Sequence, residues 1–115
     1  MNIREAVIAF SQSEKIKSAL IWVSNAVQSL QPADLPGGEK IITLFAEMAA
    51  AEFHVARRMA PDERWANAQR SMDTALVMLH SGAAQDAVFH LTKALSEVTG
   101  VAQQAMSLLK DQEIL

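Results

Sequence analysis

Apolar and polar positions recur along this chain with a helical period almost from end to end. The clearest run holds Ala87, Leu91, Ala94, Val98, Val101, Ala105 and Leu108, alternately four and three residues apart. That spacing keeps one apolar seam on a helix for about four turns or more. Val88, Leu95, Ala102 and Leu109 form a second row, so this stripe is wide enough to face two neighbours. Upstream, Trp65, Ala68, Met72, Ala75, Leu76 and Leu79 share one helical face, while Asn67, Arg70, Ser71 and Thr74 take the other. Pro61 suits the start of that helix, and Asp62 and Glu63 fall in its positive first turn. Gly82 is a good stop between the two runs. The pattern predicts a helical hairpin over 61–81 and 83–110.

The first half of the chain is less regular. Ile3, Ala6, Val7 and Phe10 lie on one side of a helix. Ile16, Ala19, Leu20, Val23, Ala26, Val27 and Leu30 lie on nearly the opposite side at about 100° per residue. Between them, Ser11-Gln12-Ser13-Glu14 has the form of a capping box. Two readings follow: one continuous helix, or a short arm over 1–12, a break, and a helix over 13–30. Gln31 to Gly38, with Pro32, Pro36 and two glycines, is a loop that turns the chain back. The next helix, over 39–59, has an apolar arc of roughly 200°, twice that of an ordinary surface helix. A helix this apolar is expected to be covered on two sides. Glu52 projects from the middle of the arc among Phe45, Met48, Val55 and Ala56.

The fold expected is therefore all-α: an up-down-up-down four-helix bundle with a short N-terminal helical arm, as one domain over 1–115. Short loops make sequential helices antiparallel neighbours. At 115 residues, half of them apolar, the chain can build a real core. Gly82-Ala83-Ala84-Gln85-Asp86-Ala87, followed by Leu91, Ala94 and Leu95, resembles the turn and second helix of a tetratricopeptide repeat. Ser71, Ala75 and Thr99 stand where that pattern has tryptophan, glycine and proline, and no second copy is visible. The resemblance is that of a short helical hairpin, and no family follows from it.

Charge and composition narrow the function. A net charge of −3 lacks the basic field of a duplex-binding protein, so no nucleic-acid partner is expected. No run approaches the roughly 20 apolar residues of a membrane span, so no membrane partner is expected. The absence of cysteine removes disulfides and thiolate metal sites and fits a cytoplasmic protein.

Chemistry-bearing patterns are sparse. The three histidines, His54, His80 and His90, belong to no E-x-x-H pair of the kind that builds metal sites in helical bundles. No nucleophile elbow and no phosphate-binding glycine loop occur. The sequence thus nominates no catalytic residue, no cofactor site and no metal ligand. Arg57, Arg58, Arg64 and Arg70 cluster locally, diluted by Asp62 and Glu63.

The strongest positive signal is the apolar residues that fall outside the main stripes. Ile3, Val7, Phe10, Trp22, Ile42, Phe53 and Phe89 are the interface candidates. Glu52 is the buried polar candidate, because a carboxylate on an apolar arc needs a partner. The expected function is a non-enzymatic protein-interaction or assembly module, homodimeric or of higher order, with a protein partner as a further expectation. The alternative is a small metal-binding or enzymatic bundle centred on Glu52 with His80 and His90.

Overall fold

The computed structural model describes residues 1–113, with the backbone alone at Pro36. It consists of four helices: α1 (Ile3–Gln28), α2 (Leu35–Met59), α3 (Glu63–His80) and α4 (Ala84–Asp111). A 3₁₀ turn, Pro32–Asp34, lies between α1 and α2. The helices form a square. α1 packs on α2, α2 on α3 and α3 on α4, and α1 against α4 closes the ring. The result is a rod of 52 × 21 × 18 Å.

α4 is the spine, as its seam predicts. Ala87, Leu91, Ala94, Val98, Val101 and Ala105 are all buried, with Ala102 and Leu109 beside them. α3 presents Trp65, Ala68, Met72, Ala75 and Leu79 to the same core, whereas Leu76 is only partly covered. The α3–α4 turn is a Schellman motif. Ala83 N–H donates to the Met78 carbonyl at 2.8 Å and Gly82 N–H to that of Leu79 at 3.3 Å. Gly82 takes φ +79°, which an L side chain rarely adopts.

α1 settles the two readings of the N-terminal segment: it is one helix without a break. Its capping box is Asn2–Glu5, not Ser11–Glu14. Its buried row is Ala6, Ala9, Ser13, Ile16, Leu20, Val23 and Val27, alternately three and four residues apart. Ser13 belongs to that row because its hydroxyl donates to the Ala9 carbonyl at 2.6 Å, leaving no unpaired donor inside. The first third of the helix is thus part of the bundle, and Ile3 and Val7 flank its buried row.

α2 begins earlier than the sequence suggests. The 3₁₀ turn leads directly into Leu35, so Gly37 and Gly38 lie in the first turns of the helix. At its far end, Ala60 is buried and its carbonyl accepts from the Trp65 indole N–H at 3.0 Å. The Trp65 ring meets Phe53 edge to face, 6.2 Å between centroids. This pair locks the α2–α3 corner.

Candidate interaction surface

The inner face of α2 is made mainly of small residues. Ile42, Ala46, Ala49, Ala50, Phe53, Ala56 and Ala60 are buried, and five of these seven are alanines. Small side chains let helices approach closely, and the tighter packing offsets part of the apolar area forgone. This corrects two interface candidates. Ile42 and Phe53 belong to the core, and Phe53 is 0 % exposed. The alanines around them carry too little hydropathy to mark the inner side, so periodicity alone puts both residues on the wrong face.

The large apolar residues of α2 point outward. Ile41, Leu44, Phe45, Met48, Val55 and Met59 are all exposed, Met48 by 64 %. Ile41, Leu44, Met48, Ala51 and Val55 follow three-four spacing, so they form one straight stripe along the helix. At about 100° per residue the stripe lies roughly 150° from the centre of the buried face. It therefore points almost straight out from the bundle, between the margin that α2 shares with α1 and the one it shares with α3.

α1 contributes the shoulder of this surface. Trp22, half-exposed, tilts against Phe45 at 4.8 Å between ring centroids. Further along the same margin, Lys15 Nζ donates to Glu52 Oε1 at 3.0 Å. Glu52 is accordingly not buried. Its side chain is 32 % exposed, because it lies on the margin of a stripe that faces outward. On the opposite shoulder, His80 Nε2 lies 2.8 Å from Glu47 Oε1. An apolar strip with polar pairs along both margins has the anatomy of a protein interface, an apolar centre inside a polar rim.

The remaining sequence candidates fall elsewhere. Ile3 and Val7 are exposed near the start of α1, and Phe10 is partly buried against the core. Phe89 is exposed on α4, where its ring edge meets His90 and Lys93 Nζ sits 5.6 Å from the ring centroid. The structure therefore gathers Trp22 into the α2 surface and leaves Ile3, Val7 and Phe89 at separate places.

The groups of the alternative reading do not converge. Glu52 pairs with Lys15 between α1 and α2, His80 with Glu47 between α2 and α3, and His90 lines a depression between α3 and α4 with Arg70, Thr74 and Glu97. Among the described residues, no three His, Asp or Glu side chains come together to hold a metal ion. The arginine cluster is also dispersed. Arg57 donates to Gln69 at 2.7 Å, Arg64 to Gln104 at 2.6 Å, and Arg70 to Asn67.

One polar network has almost no signature in the sequence. Gln69 is buried in the α2–α3 seam. Its carbonyl oxygen accepts from Arg57, and its amide nitrogen donates to His54 Nε2 at 2.8 Å. Both ends of the amide are used, so the network ties α2 to α3 and leaves no unpaired group aimed at a ligand. Its only sequence signal is that Gln69 shares the α3 face with Trp65 and Met72.

Comparison with known proteins finds no matching family model, no matching curated protein and no matching solved structure, so the functional reading rests on the surface of α2.

Proposed function

We propose that this protein is a non-enzymatic interaction or assembly module that works as a homo-oligomer, with the outer face of α2 and the Trp22 shoulder as its docking surface. One observation carries the reading: α2 buries mainly alanines, with Ile42 and Phe53, and displays Ile41, Leu44, Phe45, Met48, Val55 and Met59. Single exposed apolar residues are ordinary, but a continuous stripe of them along a helix marks a surface that another protein covers. The acidic net charge supports a protein rather than a nucleic-acid partner, and among the described residues no helix is long and apolar enough to cross a membrane. A cytoplasmic setting fits the cysteine-free composition.

Light scattering at tens of micromolar tests it. The wild-type chain is expected above the monomer mass of 12.5 kDa, and Leu44→Glu with Met48→Glu is expected at the monomer mass with its helical circular dichroism retained. A wild-type protein that stays monomeric overturns the reading.

A further inference from the structure

We infer that the occupant of the α2 face is a second copy of this chain, lying antiparallel to the first about a two-fold axis between Met48 and Ala51. This rests on the homo-oligomeric reading above and adds the partner's orientation and register.

Size complementarity points to this arrangement first. Ile41, Leu44, Met48, Ala51 and Val55 occupy alternating seam positions, and Arg58 takes the next one with Met59 beside it. Antiparallel pairing about a centre between residues 49 and 50 sets Met48 opposite Ala51, Leu44 opposite Val55, and Ile41 opposite the Arg58–Met59 end. Each long side chain then meets a shorter one, as close packing requires. Parallel pairing sets Ala51 on Ala51, leaving a gap, and Arg58 on Arg58, placing two cations together in an apolar seam.

The helix dipoles favour the same choice, since antiparallel packing sets the N-terminal end of each α2 beside the C-terminal end of its partner.

The area is adequate. The exposed portions of Trp22, Ile41, Leu44, Phe45, Met48, Val55 and Met59 average about half of each side chain. Seven such side chains amount to on the order of 700 Å² per protomer, close to the roughly 800 Å² each partner contributes to a stable interface. A two-fold contact is also closed, so one patch suffices and no chain of copies grows from it.

The protein has no cysteine, so one introduced thiol gives one spin label per chain. Lys40→Cys and Glu47→Cys both replace exposed residues on one flank of the stripe and leave its apolar residues intact. At about 1.5 Å of rise per residue, antiparallel packing about this centre separates the two Lys40 sites by about 28 Å along the helix axis and the two Glu47 sites by about 8 Å. Pulsed electron paramagnetic resonance is expected to find the Lys40 label pair roughly 15–20 Å farther apart than the Glu47 pair. Equal distances at the two sites mean parallel packing and overturn the inference. The absence of coupling at both sites, with light scattering still reporting a dimer, also overturns it, while the homo-oligomeric reading stands. A monomer in light scattering removes both.

Discussion

α4 and α2 are both long amphipathic helices of one bundle, and they point their large side chains in opposite directions. α4 sends Leu91, Val98, Val101 and Leu109 into the core and shows Asp86, Lys93, Ser96 and Gln103 to the outside. α2 sends four alanines inward, with Ile42 and Phe53, and shows Ile41, Leu44, Phe45, Met48, Val55 and Met59. The first is the pattern of a helix whose apolar area, Phe89 apart, is used up within the monomer. The second is that of a helix whose apolar area is only partly used. The packing reflects this: α4 makes the broad interfaces of the bundle, with α1 and α3, and α2 the narrower ones.

That contrast is open to direct attack by substitution. The largest expected effect is at Phe53, the one aromatic residue that anchors α2 to the core. Phe53→Ala should cost about 3–5 kcal/mol in urea unfolding, as buried aromatic truncations do. A loss below ~1 kcal/mol would mean that α2 is not docked through this face. Next comes a pair with identical chemistry at two addresses. Leu91→Ala in α4 should cost about 2–5 kcal/mol. Leu44→Ala in α2 should cost less than ~1 kcal/mol in the dissociated protein, because little of that side chain is covered there. Similar values for the two would erase the distinction between the helices. Leu76, only partly covered on α3, should fall between them. The smallest effect is at Glu52. Its ion pair with Lys15 is partly solvated, so Glu52→Gln should change stability by no more than about 1 kcal/mol. A loss of several kcal/mol would show that the α1–α2 margin is far less wet than its exposure indicates.

The same contrast explains what can be read from the sequence. The four helices, their order and the faces of α3 and α4 are legible because Trp65, Met72, Leu91, Val98 and Val101 are large, and their spacing leaves one choice of inner side. The inner sides of α2 and of the first third of α1 are not legible, because small residues build much of them, whereas Ile16, Leu20, Val23 and Val27 mark the rest of α1 correctly. In α1 the true row begins Ala6, Ala9, Ser13, and these are outweighed in hydropathy by Ile3, Val7 and Phe10 beside them. That imbalance suggests a change of face and an arm, where the helix in fact runs straight. Ser13 compounds it, since a buried hydroxyl looks like a break until its bond to the Ala9 carbonyl is seen.

In α2 the apolar arc is as wide as the sequence indicates, with large residues outside and small ones within. Which half faces inward is undetermined by pattern, because alanine can be buried or exposed at little cost either way. Ile42 and Phe53 consequently read as outward and Glu52 as inward, each the reverse of its position. A usable signal does exist. Ile41, Leu44, Met48, Ala51 and Val55 obey the same three-four spacing that identifies the α4 seam. A second complete seam, on a helix already rich in alanine, is the feature that separates the two halves of the arc. Trp22 is legible as exposed. Its contact with Phe45 depends on how α1 and α2 align, which periodicity alone does not fix.

The central claim is that the outer face of α2 is covered in solution, and methionine oxidation followed by mass spectrometry tests it most directly. Peroxide attacks accessible thioethers, and this chain carries its own references. Met72 is 0 % exposed in the core, and Met48 is 64 % exposed in the isolated chain at the centre of the stripe. At high protein concentration Met48 should oxidise slowly, approaching Met72. On dilution through the dissociation range its rate should rise at least several-fold while that of Met72 stays low. Rapid oxidation of Met48 at every concentration, with Met72 protected throughout, would leave a folded bundle whose α2 face no partner copy covers, and would contradict the account.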